Sequence, residues 1–238
     1  MLDFFTVNKL QKFDSNYLKS HSFLIGVDEA GRGSLAGPVV AGACLISRMF
    51  FESKIALKQS AQINDSKKLS TYTRDRQYEV MESLQQQGLI YFSTASASVR
   101  EISDLNILGA TRLAMCRAVE RIIKSIKGSE FPDKLLRDVS PGMDYSTKII
   151  VDGRPLKPFP YEHEGVVKGD EKSLVIAMAS ISAKVNRDRE MEQLATRYPQ
   201  YGFDQHKGYG TVDHRAALKV FGPTSVHRKL FLRKIIKT

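Results

Sequence analysis

Four carboxylates stand where this chain leaves apolar runs. Asp28 and Glu29 follow Phe23–Val27, Asp152 follows Lys148–Val151, and Asp170 ends the segment that begins at Glu164. Short uncharged runs rich in β-branched residues read as buried strands, and strand ends beside glycine loops are where open α/β sheets carry their sites. Four acids brought together without a cation repel one another and resist ionisation. A pair of hard divalent ions removes that conflict, and carboxylate oxygens with water are the ligands that Mg²⁺ or Mn²⁺ prefers. Two such ions about 4 Å apart activate a water and stabilise the leaving oxygen of a phosphodiester. Each acid taken singly also reads as a turn or helix-cap residue, Asp170 just before Ser173 above all. The chemical reading rests on three such endings in one basic chain.

Neighbouring strand side chains point to opposite faces. Asp28 and Glu29 therefore serve one site only if the strand bends at its end or one of them offers its backbone carbonyl. Gly31, Gly33 and Gly37 permit such a bend, and they leave a loop whose backbone N–H groups approach a ligand closely.

The elements that must position these residues follow from periodicity. Pro38–Ile46 is a second apolar run, joined to the first most simply as a hairpin. A helix is predicted from about Thr71 to Gln87, closed by Gly88, and a third strand over Leu89–Ala97. Ser103 or Asp104 is expected to cap a helix in which Leu105, Leu108, Met115, Val119, Ile122 and Ile126 recur at helical spacing, ended by Gly128. Residues 129–147 read as an excursion from the core. A long helix is predicted over about 173–197, with Ser180, Lys184 and Asp188 sharing one face. Basic helical patterns follow at 212–221 and 224–237, whereas residues 1–22 read as a short surface helix and linker without chemistry. The order β-β-α-β-α-β-β-α predicts a mixed α/β sheet with a helical C-terminus.

Composition sets outer bounds. In 238 residues there is room for one well-cored domain with an appendage, expected as a catalytic unit at 1–198 and a basic, mainly helical region at 199–238 packed on it. Lys and Arg number 36 against 26 Asp and Glu, a net charge of +10, which suits a polyanionic partner. Cys44 and Cys116 read as buried thiols in a reducing cytoplasm. Neither a signal peptide nor a membrane span is evident, so a cytoplasmic, non-membrane protein is expected.

Six motifs in order carry a resemblance. Val27-Asp-Glu-Ala-Gly-Arg-Gly33, Asn64-Asp-Ser-Lys-Lys-Leu69, Val151-Asp-Gly153, Val167-Lys-Gly-Asp170, Ser180-Ile-Ser-Ala-Lys-Val185 and Gln205-His-Lys-Gly-Tyr-Gly210 together resemble type 2 ribonuclease H, over about residues 22–231. Chain length favours type 2 over the related type 3 enzymes. The resemblance implies a ribonuclease H-like fold, a mixed five-stranded sheet flanked by helices. It implies a monomer that hydrolyses the RNA strand of RNA–DNA hybrids and cuts 5′ to single ribonucleotides in duplex DNA, leaving 5′-phosphate and 3′-hydroxyl ends. Asp28, Glu29, Asp152 and Asp170 would be its catalytic, metal-binding carboxylates, holding two Mg²⁺ or Mn²⁺ ions. Gly31, Arg32 and Gly33 would hold the substrate and read the ribose 2′-OH, the group that separates RNA from DNA. Tyr209 would contact that hydroxyl and stack on the following deoxyribose. Lys67, Lys68, Ser180 and Lys184 would touch phosphates and Asn106 the substrate backbone. His206 would be an auxiliary base. The residues by themselves allow plainer roles: Lys184 paired with Asp188, Asn106 starting a helix, His206 structural, Tyr209 a surface ring. The basic tail, His227, Arg228, Lys229, Arg233, Lys234 and Lys237, would suit a duplex or form a solvated face. The competing activities are a type 3-like specificity, a non-catalytic hybrid-binding protein, and a recombinase-like nuclease on the same fold.

Overall fold

A computed structural model of the chain describes residues 7–63, 69–127, 146–233 and 235. In chain order its elements are α1 (Lys9–Tyr17), β1 (Phe23–Ala30), β2 (Val39–Ser47), α2 (Arg48–Glu52), α3 (Lys54–Ser60), α4 (Thr71–Gln86), β3 (Tyr91–Ala97), α5 (Val99–Lys127), β4 (Thr147–Asp152), β5 (Glu164–Val166), α6 (Leu174–Arg197), α7 (Phe203–His206), α8 (Val212–Phe221) and α9 (Lys229–Leu232). The five strands form one mixed sheet in the order β3-β2-β1-β4-β5. β1 pairs antiparallel with β2 and parallel with β4, so the expected hairpin is present and β1 lies at the centre.

The pleat divides the core. Phe23, Ile25 and Val27 face α5 with Ile149 and Val151, while Leu24 and Ile150 face α6 and α4. Burial on both faces explains why β1 carries no charge before Asp28 and β2 carries none at all. α6 lies directly on the sheet because Gly26 and Gly42 leave room for its backbone. A Cβ on Gly26 would meet Val175 at 2.4 Å, and one on Gly42 would meet the Ala179 carbonyl at 2.2 Å.

Several predicted boundaries move. β1 does not end before Asp28 but continues through Ala30, with Asp28 opposite Gly42 and Glu29 opposite Ala41. Asp170 lies not at a strand end but in a 3₁₀ turn, Gly169–Glu171, and it is Ser173 that caps α6. α5 begins at Val99, its first turn capped by Ser98, whose hydroxyl receives the Glu101 N–H. It is interrupted at Asn106 (φ 56°, ψ 174°), so Ser103 and Asp104 are not the caps. Of the predicted 224–237 helix, α9 is the helical part among the described residues.

The N-terminal segment is not a mere surface linker. Asp14 of α1 is fully buried, and its Oδ2 accepts the Val175 N–H at 2.8 Å, adding a long-range cap to α6 beside Ser173. Burial pushes the Asp14 carboxyl up to about 7. The excursion read at 129–147 lies outside the described residues except where β4 begins. No helix among the described residues is long and apolar enough to cross a membrane.

Candidate active site

Sheet geometry decides which acids meet. Asp28 falls on the α6 face of β1, and Asp152, next beyond the Val27–Val151 pairing, falls on the same face of β4. The 3₁₀ turn brings Asp170 to them, and ligand oxygens of Asp28, Asp152 and Asp170 all lie within 4.8 Å of one another. Backbone donors orient two of them. The Glu29 N–H reaches Asp28 Oδ1 at 2.7 Å, and the Gly169 N–H reaches Asp152 Oδ1 at 2.6 Å.

Glu29 stands apart from this trio. The strand does not bend, so its side chain takes the α5 face and meets Arg32 Nη1 at 3.0 Å. The four expected carboxylates are thus three clustered aspartates and one glutamate at the lip. Three hard oxygen donors in this space fit a divalent cation such as Mg²⁺ or Mn²⁺ by charge and ligand type.

A cleft of about 220 Å³ joins the acids to the substrate-binding candidates. Asp28, Glu29, Asp152, Gly31, Arg32, Gly33, Ser180, Lys184 and Tyr209 all line it. Gly31 has φ +89°, and a Cβ there would strike Arg187 at 1.8 Å, whereas Gly33 has open space around it. One glycine is thus required by packing and the other leaves bare backbone to the cleft. Ser180 is buried at the cleft wall. Lys184 Nζ bonds Asp188 Oδ1 at 2.7 Å, the plainer pairing, and also sits 5.8 Å from the centre of the Tyr209 ring. Asn106 lies elsewhere: its Oδ1 caps the second part of α5, taking N–H bonds from Leu108 and Gly109. Lys67 and Lys68 lie outside the described residues.

Two buried arginines hold the glycine loop from beneath; Arg187 escaped the sequence reading, and Arg228 entered it only as part of the basic tail. Arg187 Nη2 donates to Ser34 Oγ at 2.8 Å and Nε to the Pro38 carbonyl, and its guanidinium carbon lies 5.3 Å from the Tyr209 ring centre. Arg228 donates to the carbonyls of Arg32, Gly37 and Pro38, and burial pulls it down to about 9. The basic tail therefore needs correction. His227 and Arg228 are each 1% exposed and serve the interior, not a duplex. Lys234 and Lys237 lie outside the described residues.

Histidines fix the loop that carries Tyr209. His214 Nδ1 lies 2.9 Å from the Tyr209 carbonyl oxygen, which can only accept, so Nδ1 holds the proton. Its bare Nε2 faces His227 Nε2 at 3.2 Å, and His227 Nδ1 accepts the Thr224 N–H. His206 accepts the Gly208 N–H on Nδ1, donates from Nε2 to the Tyr201 carbonyl, and stacks on His214. These bonds assign one tautomer to each ring, and those of His206 run to backbone groups of the loop. Burial lowers the proton affinity of His214, and that of His227 to about 4.

The family model described as Ribonuclease HII matches residues 25–234. The chain belongs to the ribonuclease HII family. The ribonuclease HII of Chloroherpeton thalassium is 44% identical over 219 residues, covering 92% of this chain and 94% of its own. That of Fusobacterium nucleatum is 42% identical over 235 residues, covering 97% and 94%. Among solved structures, ribonuclease H2 from Pyrococcus horikoshii superposes with a TM-score of 0.62 at 23% identity, covering 90% of this chain and 96% of that one. This likeness carries the ribonuclease H-like fold. As a ribonuclease HII the chain is a ribonuclease H, a divalent-metal-dependent endonuclease that hydrolyses phosphodiesters of RNA–DNA hybrids.

Proposed function

We propose that this ribonuclease HII cuts 5′ to single ribonucleotides embedded in duplex DNA as well as within longer hybrids, leaving 5′-phosphate and 3′-hydroxyl ends. The observation that carries the proposal is the single cleft lined by Asp28, Asp152, the glycine loop with its open backbone at Gly33, and Tyr209. Asp28, Asp152 and Asp170, with Glu29 at the lip, would hold the cations, two Mg²⁺ or Mn²⁺ per site. When bound, such a pair supplies the charge that activates water and stabilises the leaving oxygen. The chain's own groups position the strand. Backbone N–H groups at Gly31 and Gly33 take the scissile phosphate and the 2′-OH, and Arg32 shields the phosphate charge. Ser180 and Lys184 hold a neighbouring phosphate, with Lys67 beside them. Tyr209, braced by Arg187, stacks on the deoxyribose that follows the ribonucleotide. Asn106 acts on the substrate backbone through the α5 turn that it caps.

We propose further that the chain works as a cytoplasmic monomer off the membrane. Its catalytic unit is assigned to 1–198 and its basic helical region to 199–238.

The test is an end-labelled DNA duplex with one ribonucleotide, incubated with Mg²⁺, with Mn²⁺ and with chelator. Metal-dependent cutting on the 5′ side of that ribonucleotide is expected. Cutting of long hybrids alone would replace this reading with a type 3-like specificity, and binding without cutting would replace it with a hybrid-binding protein.

A further inference from the structure

The acids are flanked on two sides. Opposite the Tyr209 cleft, and sharing Glu29, Arg32 and Asp152 with it, lies a larger cavity of about 460 Å³ between α5 and the segment 153–157. Arg112, Arg154 and Lys157 line it, giving it three cations beyond the Arg32–Glu29 pair. Arg112 is pinned to the wall by donating to the Lys157 carbonyl. The side chains of Arg154 and Lys157 form no ion pair among the described residues. Thr111 lies in the same wall, 4% exposed, and its Oγ1 has no hydrogen-bond partner among the described residues. A buried hydroxyl without a partner is costly, and an incoming oxygen would satisfy it.

We propose that this cavity is a phosphate subsite for the cleaved strand on the 5′ side of the cut, where Thr111, Arg112, Arg154 and Lys157 receive the non-bridging oxygens of an upstream nucleotide. The direction rests on the proposed function. With Tyr209 on the sugar 3′ to the ribonucleotide, a strand that passes the aspartates reaches the α5 side with its 5′ part. Cations and a hydroxyl donor with no base-edge pattern among them fit the phosphate, the strand's invariant part.

The experiment uses a series of duplexes with one ribonucleotide, each carrying a single uncharged methylphosphonate at a different upstream position. The wild type, the Arg154→Ala/Lys157→Ala double variant and the isosteric Thr111→Val variant are compared on the series. Binding is read by fluorescence anisotropy in chelator and cutting is read separately with Mn²⁺. One upstream methylphosphonate is expected to weaken wild-type binding roughly tenfold, the scale of removing one charge-assisted hydrogen bond. The double variant binds the unmodified duplex that much more weakly and gains no further penalty from the same methylphosphonate. Its salt slope is shallower by about 1 for each phosphate that it no longer neutralises. Thr111→Val shows a smaller loss confined to the same position. Equal methylphosphonate penalties in wild type and variants, or variants that bind the unmodified duplex as the wild type does, would overturn the subsite. A wild type that shows the binding pattern but does not cut would instead overturn the proposed activity.

Discussion

Tyr209 is 37% exposed, with Arg187 and Lys184 both near its ring and its carbonyl tied to His214. It offers a braced flat surface to the cleft. Tyr209→Ala should lower cleavage at a single embedded ribonucleotide by roughly tenfold or more, on the scale of the about 1–3 kcal/mol that a base stacked on an aromatic ring contributes. Cleavage of a long hybrid should fall less, because neighbouring ribonucleotides offer alternative registers. Paired kcat/KM measurements on the two substrates check this, and equal losses would remove Tyr209 from junction reading. At this scale the sequence was legible where chemistry is local. An acid after an apolar run, a glycine on either side of an arginine and a tyrosine between glycines each carry their signal in adjacent residues. Arg187 and Arg228 carry none. Their partners at residues 32–38 lie about 150 to 190 positions away, so in sequence they look like ordinary surface charge. Glu29 shows the opposite limit: it is adjacent to Asp28, yet an unbroken pleat turns it to the other face.

Two elements set how firmly the site is held. The glycine loop follows β1 and rests on Arg187, so Gly31→Ala both strains a φ of +89° and collides with that guanidinium. A loss of about 1–3 kcal/mol is expected, read as a lower urea midpoint. α6 is held at its start by Asp14 and along its first turns by the glycines under it, a dependence that the bland composition of residues 7–22 did not reveal. Its consequence is a pair of opposed titrations. His227, at about 4 when folded, is depressed below the ordinary histidine value of 6.5. Between those values the unfolded chain binds more protons, so this contribution is full above pH 6.5 and is lost as pH falls towards 4. Asp14, raised from 3.8 to about 7, works the other way: the folded chain binds more protons, and stability is lost as pH rises through 7. Asp14→Asn should therefore stabilise the protein at about pH 8, by on the order of a few kcal/mol at most. It should also unmask a steep loss between pH 6.5 and 4, the window of His227. Urea unfolding across pH checks both, and a variant with wild-type pH dependence would contradict the buried carboxyl.

For the molecule as a whole, a charge of +10 and a site edged by Arg32, Lys184, Arg112, Arg154 and Lys157 imply binding dominated by phosphate neutralisation. Affinity for a duplex should fall linearly on a double-logarithmic salt plot, with a slope of about −0.9 for each phosphate neutralised. Anisotropy between about 50 and 200 mM salt measures it, and a flat response would contradict the charge argument. The strand order was not readable from periodicity, because which strands pair depends on contacts distant in sequence. It followed from the resemblance, and the sheet order β3-β2-β1-β4-β5 agrees with a mixed five-stranded sheet. That order places β1 beside β4 and so sets Asp28 beside Asp152, with Asp170 completing the trio.

The measurement that tests this convergence most directly is Mn²⁺ binding by electron paramagnetic resonance, wild type against Asp28→Asn, with duplex affinity measured on the same samples. The wild type should withdraw Mn²⁺ from solution. Asp28→Asn should lose most of that binding and lower kcat by roughly 10²–10³-fold or more, the scale of removing one group that stabilises developing charge, while still binding duplex. Unchanged Mn²⁺ uptake in the variant, or cutting at near wild-type rate, would contradict a metal site built on these aspartates.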